Sequence, residues 1–283
     1  MVGREGIPRQ SSFRSIAALT LIPVAGLFVF LIWNFISLSK RQAPPPVVKA
    51  VQKKPAQDTR GRVSSTASIV LIIDDVGFEG QPLERAMRLD PNINFAVLPN
   101  GPRTSDYVQR LNQRGFEILC HLPMEPHGAA TSPGPNAVLT SMSDDEITAA
   151  TQSSIRAVRF ARGMNNHMGS RATSDRRVMK NVLRAMPEGM YFIDSRTGGR
   201  SIAGSMAREM NIRTASRHIF LDNVQTDAAI REQIELAGRV ARSQGVAVAI
   251  GHLNPVTVNA LAHELPSLRA RGIHLVRASD VVN

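Results

Sequence analysis

Residues 68–77 read Ser-Ile-Val-Leu-Ile-Ile-Asp-Asp-Val-Gly, an aliphatic run that stops at two adjacent carboxylates, Asp74 and Asp75. A run of that length fits a strand, Ile69–Ile73. Outward from it the same texture recurs, predicting strands at Ile93–Leu98, Glu117–His121, Met190–Ile193, Thr214–Ala215 with Ile219–Leu221, Val246–Ile250 and Ile273–Val276. Helical patterns separate them, near 82–89, 104–114, 143–161, 174–186, 201–211, 226–244 and 257–271. Ser143 followed by Glu146 predicts a capping box at the start of one helix. Strands alternating with crossover helices imply a parallel sheet. Seven or so such units in about 215 residues suit a (β/α) barrel, complete or not, better than two domains. No solenoid-type repeat is present.

The chain of 283 residues is 43% hydrophobic and 20% charged, so it has enough apolar material for a core. Its formal charge of +11 invites a nucleic-acid reading, but the distribution argues against one. Residues 1–66 carry a net +8 and residues 67–283 only +3, so the basic excess is a tail and not a folded face. Aromatic residues, at 5%, are too few for base-stacking platforms. No nucleic-acid partner is therefore expected. The single cysteine, Cys120, excludes an intramolecular disulfide and a Cys-rich zinc site, and its apolar surroundings predict a buried thiol.

Residues 16–38, IAALTLIPVAGLFVFLIWNFISL, form an uncharged apolar run. At about 1.5 Å per residue it is long enough to cross a bilayer core of about 30 Å. It follows a short basic N-terminus (1–15) and lacks a small-x-small cleavage site, so it reads as an uncleaved single-pass anchor. Three arginines precede the run and Lys40, Arg41, Lys49, Lys53 and Lys54 follow it. That count alone would place the C-terminal side in the cytosol. Residues 39–67, with Pro44–Pro46 and mixed Lys, Gln, Ser and Thr, read as an extended linker. A folded domain then occupies 68–283.

The chemistry gathers where strands end. Asp74 and Asp75 close the first; His121 closes Ile118–His121 and is followed by Leu-Pro-Met-Glu125-Pro-His127; Asp194 and Ser195 close Tyr191–Asp194; His252 closes Val246–His252. A further stretch, Gly163-Met-Asn165-Asn166-His167-Met-Gly-Ser170, reads as a tight loop whose backbone approaches a ligand closely. In parallel barrels the C-terminal strand ends share one face, so these groups converge. Singly, each has a simpler explanation, a helix cap for the aspartates or a hydrogen-bonded structural role for a histidine. Together they make a metal-capable site. Carboxylate and imidazole ligands without thiolates suit Zn²⁺ or another borderline divalent ion. His218, His263 and His274 fall inside elements, and the arginines 156, 159 and 162 have the spacing of a solvated helix face.

On IIDDVG (72–77), HLPMEP (121–126), GMNNHMGS (163–170), FIDS (192–195) and IGH (250–252), the segment from about Ser68 to Val282 resembles the divergent polysaccharide deacetylases, relatives of the NodB-like carbohydrate esterases. The resemblance implies a distorted NodB-like barrel, a domain on the outer side of the cytoplasmic membrane and an envelope glycan as substrate. It also implies roles: Asp74 as general base, Asp75 as metal ligand, His252 as general acid and Asp194 as the group orienting His252 or supporting the site from behind. Better-known members take two ligands from a His-x3-His motif. Here His121 is followed four residues on by Glu125, so the resemblance leaves His167 to complete Asp75 and His121. Glu125, Asn165, Asn166 and Ser195 would contact substrate or the ligands. The reading is thus a metal-dependent removal of acyl groups from an envelope polysaccharide, with a non-catalytic glycan- or protein-binding member of the same fold as the alternative and another metal hydrolase, such as a phosphoesterase, as the remainder.

Overall fold

The computed structural model describes residues 67–128 and 132–283. The N-terminus, the apolar run 16–38 and all but the last residue of the linker lie outside the described residues. Among the described residues no helix is long and apolar enough to cross a membrane.

Nine strands form one sheet: β1 (Ser68–Val76), β2 (Asn94–Val97), β3 (Glu117–Met124), β4 (Gly163–Met168), β5 (Tyr191–Asp194), β6 (Thr214–Ser216), β7 (Ile219–Phe220), β8 (Val246–His252) and β9 (His274–Leu275). Their order is β6-β5-β4-β3-β2-β1-β8-β7, with β9 paired to β1. The two ends of this path are consecutive in the chain. The Arg217 amide donates to Asp194 of β5 at 2.9 Å, and the next amide, His218, donates to Val248 of β8, also at 2.9 Å. One segment thus borders both ends, and the parallel sheet wraps into an incomplete barrel.

The strand count exceeds the expected seven for two reasons. The segment 214–221 divides into β6 and β7 where it changes partners. The Gly-Asn stretch expected to be a loop is instead β4, paired with β3 and β5. Glycine and asparagine are poor strand formers, but tertiary pairing overrides that preference. Gly163 is required by packing, because a Cβ there would lie 2.2 Å from the Tyr191 ring.

The helices are α1 (Leu83–Met87), α2 (Thr104–Gln113), α3 (Asp144–Ala157), α4 (Arg176–Arg184), α5 (Ala203–Glu209), α6 (Asp227–Gln244) and α7 (Pro255–Ala270). Each overlaps an expected pattern. The capping box is formed: the Ser143 amide donates to Glu146 at 2.7 Å, and the Glu146 amide donates to the Ser143 hydroxyl at 3.3 Å.

Alternation along the strands divides the core. Ile69, Leu71 and Ile73 of β1 face the helices within the larger cluster. Val70 and Ile72 face inward, where they meet Ala96, Leu119, Tyr191, Ile193, Val248 and Ile250. Each such buried aliphatic contributes about 1.5–3 kcal/mol, so both faces of β1 are strongly specified. The C-terminal segment, through Ala278 and Val282, closes the N-terminal end of this interior. Cys120 is fully buried, and burial pushes its thiol up to about 12. At the opposite end the next inward positions are polar: Asp74 lies opposite His252, and His121 opposite Asn165.

Candidate metal centre

Adjacent residues of a strand point to opposite faces, so Asp74 and Asp75 should not reach the same site. A bulge in β1 resolves this. Ile73 pairs with Phe95 and Val76 with Val97, so three steps on β1 match two on β2. Asp75 occupies the left-handed region, at φ 57°, which aspartate tolerates better than most residues. The extra residue re-aims the second carboxylate into the barrel mouth beside the first.

Three groups from three strands then meet. Asp75 Oδ1 lies 3.1 Å from His121 Nε2 and 2.9 Å from His167 Nδ1. The two ring nitrogens are 3.2 Å apart. Although it is buried against both rings, Asp75 Oδ1 receives no hydrogen bond of normal geometry. An orphaned carboxylate oxygen facing two imidazole nitrogens is a donor set for a cation, and these are the residues capable of holding one among the described residues. Burial pushes the Asp75 carboxyl up, but the two imidazoles outweigh burial and hold it well below the carboxylate range.

Asn165 settles which nitrogen of His121 faces the centre. Its amide nitrogen donates to Asp74 Oδ1 at 2.9 Å and to the Ser195 hydroxyl at 3.2 Å. Its amide oxygen must therefore face His121 Nδ1, 2.8 Å away, and accept a proton from it. Nε2 is thus the nitrogen that faces Asp75 and His167. Against the effect of burial, the neighbouring carboxylates favour a proton on this ring that a bound metal ion would displace. A hydrogen-bond acceptor behind the second ring nitrogen is the usual way of fixing the orientation of a metal-ligating histidine, and the Asn165 amide oxygen takes that place here.

Asp74 and His252 flank the triad. The Asp74 side chain is 4% exposed, and burial raises its carboxyl above the ordinary value. Its Oδ2 lies 3.6 Å from His121 Nε2. His252 Nε2 is 3.7 Å from Asp75 Oδ2 on the solvent side. Its other nitrogen, Nδ1, is 3.0 Å from Asp222 Oδ1. Burial lowers the His252 imidazole, yet hydrogen bonding and charge from Asp222 outweigh that and lift it to about 9. Asp222 also accepts from the His252 amide at 2.7 Å and from the Thr257 hydroxyl at 2.7 Å. A cleft of ≈ 260 Å³, lined by Phe78, Leu98 and Pro123 among others, opens beside Asp75 and His167.

Asp194 is not the partner of His252. It follows Ile193, an inward residue, and so points outward, where it accepts from the Ser201 hydroxyl at 2.9 Å and the Gly204 amide at 3.2 Å. Asp222 holds the expected place. Glu125 also turns from the centre: its carboxylate accepts from the Thr140 amide and hydroxyl, each at 2.6 Å, and meets Arg171 at 3.3 Å. Asn166 joins β4 to the segment after β5, accepting from the Ser195 amide at 2.9 Å and donating to Met168 at 2.7 Å. Ser195 meets the site through Asn165. His127 lies outside it, 3.3 Å from Arg200.

The model of the divergent polysaccharide deacetylase family matches residues 71–282. An "uncharacterized protein" of Haemophilus influenzae Rd is 36% identical over 203 residues, 71% of this chain and 72% of that one. Escherichia coli K12 YibQ, also termed uncharacterized, is 35% identical over 216 residues, 76% of this chain and 67% of its own. A solved structure of an uncharacterized Agrobacterium tumefaciens C58 protein covers 77% of this chain and 89% of that one, with a TM-score of 0.73 at 22% identity. At that identity the likeness bears on the fold alone.

Proposed function

The chain belongs to the divergent polysaccharide deacetylase family, and from that premise we propose that it is a metal-dependent hydrolase removing acyl groups from a cell-envelope polysaccharide. One observation carries the reading: Asp75, with an oxygen that receives no hydrogen bond, converges with His121 and His167 between the buried carboxylate of Asp74 and the imidazole of His252. These three would hold a divalent ion, and the mixed carboxylate and imidazole set favours Zn²⁺. When bound, the ion supplies Lewis acidity toward a carbonyl oxygen and lowers the pKa of water.

The protein's own groups do the rest. Asp74, raised by burial and held at Oδ1 by Asn165, accepts a proton from the attacking water at Oδ2. The water oxygen bonds to the amide carbon, and the carbon–nitrogen bond then breaks. His252, kept cationic by Asp222, donates its Nε2 proton to the leaving amine. The products are a carboxylic acid, acetate in the simplest case, and a free sugar amine. The run at 16–38 would anchor the domain to the outer side of the cytoplasmic membrane, within reach of envelope glycan.

One observation favours a non-catalytic glycan-binding role instead. Glu125 stands where better-known members have a second histidine, and it is bonded to Thr140. His167 answers it by filling the ligand position from β4. Acetate release from N-acetylglucosamine oligomers decides between the two. Loss of a general base typically costs about 10²–10⁴-fold, so Asp74→Asn should fall in that range while still binding zinc. Undiminished release by that variant would remove Asp74 from the role, and no release by the zinc-loaded wild type on any acylated glycan would favour binding.

A further inference from the structure

The end of the barrel opposite the metal centre carries a second cavity, of ≈ 670 Å³, between the α3–β4 connection and the turn before β5. Four exposed arginines line it: Arg156, Arg159, Arg162 and Arg213. Among the described residues none of the four has a carboxylate within salt-bridge distance. Elsewhere on the domain, Arg103, Arg110, Arg177, Arg231, Arg269 and Arg271 are paired with acids. Other exposed arginines without a salt bridge, such as Arg88 and Arg184, do not line this cavity, so the grouping is what sets the four apart. The cavity's own acid is Glu188 alone. Four guanidinium groups without counter-charge around one hollow form a site for an anion with several oxygens.

The same rim holds Phe160. It is 51% exposed, and it sits in the left-handed region at φ 66°, where a bulky residue is strained. The Arg159 guanidinium lies over its ring at 5.3 Å. An aromatic ring displayed beside arginines pairs an apolar wedge with phosphate-binding cations, a combination that suits the headgroup layer of a bilayer.

The chain also enters the barrel at this end. The N-terminal ends of the strands include Ser68, where the polypeptide reaches the barrel. The sequence leading to it contains the apolar run 16–38 and a net +8 of the molecule's +11. We propose that the N-terminal end of the barrel docks on an anionic phospholipid bilayer, with Arg156, Arg159, Arg162 and Arg213 binding headgroup phosphates and Phe160 entering the headgroup layer. The metal centre, at the opposite strand ends, then faces away from the lipid toward material above it. The proposal rests on the apolar run as an anchor but is independent of the metal chemistry.

The test uses the full chain with Trp33→Phe and Phe160→Trp, reconstituted in lipid nanodiscs. The new indole should shift to the blue and be quenched by brominated lipid in discs containing phosphatidylglycerol, but not in discs of phosphatidylcholine alone. Each arginine near an anionic surface is worth about fivefold in apparent affinity. Arg156→Gln/Arg159→Gln/Arg162→Gln should therefore weaken phosphatidylglycerol dependence about a hundredfold, with thermal unfolding unchanged because all three side chains are exposed. Quenching of equal size in neutral discs, or quenching that survives the triple substitution, would overturn the proposal. Release of the quenching by millimolar inorganic phosphate at constant ionic strength would assign the cavity to a soluble phosphate and overturn the membrane assignment.

Discussion

At the scale of single residues, the sequence exposes the aspartates and histidines of the site but hides their partners. Asp74, Asp75, His121 and His252 were legible because each ends an aliphatic run, and parallel strands end on one face. Asp222 follows Leu221 in the same way, yet its strand is broken at Arg217–His218 and too short to advertise its end. Asp194 illustrates the converse error. Tyr191 and Ile193 line the interior, so period-2 alternation turns Asp194 outward and Ser195 inward. Asp222 makes a titration prediction. The folded pKa of His252, about 9, lies above the ordinary imidazole value of 6.5. Its contribution to stability is thus full below about pH 6.5 and is lost as pH rises through about 9. In the proposed role of acid toward the leaving amine, it should give activity that declines on the alkaline side near that value. Asp222→Asn should move this limb of the kcat profile toward pH 6.5; a limb that stays in place would separate Asp222 from the acid.

At the scale of elements, the bulge in β1 and the strand β4 decide whether a site exists. Neither is visible as a pattern. An Asp-Asp pair on a regular strand would divide between two faces, and only the extra residue between Ile73 and Val76 unites it. Strand β4 is written in residues that usually make loops, because its inward positions hold Asn165 and His167 for the site and Gly163 for the Tyr191 ring. The helices, by contrast, were readable throughout, since amphipathic spacing and caps such as Ser143 are local signals. Gly163 supplies a test of this packing. The Tyr191 hydroxyl is fixed to Glu117 at 2.8 Å, so its ring has little room to yield to a methyl group. Gly163→Ala should cost about 1–3 kcal/mol, as overpacked cores do, and lower the midpoint of thermal unfolding by several degrees. An unchanged midpoint would show that the ring and strand adjust freely.

At the scale of the whole molecule, the sheet's wrapping brings together residues that lie far apart in sequence. The candidate ligand set joins β1, β3 and β4, while His252 and Asp222 come from β8 and the segment after β7. Crossover helices and the order of strands specify this, and the alternation of strands and helices was enough to anticipate it. How the wrap is finished was not readable: a single segment, 214–220, pairs first with β5 and then with β8. That seam sets His252 beside the triad and leaves the C-terminal strand ends as the mouth of the site. The opposite end, closed by residues 278–283, is free for a different surface.

The most direct test of the central claim is the metal content of the full chain, measured by native mass spectrometry after zinc is offered and excess removed. About one zinc per chain, lost in His121→Ala/His167→Ala but retained in His127→Ala, is the expected result. A wild-type chain that stays metal-free, or a double variant that keeps its zinc, would contradict the claim that Asp75, His121 and His167 form a metal centre.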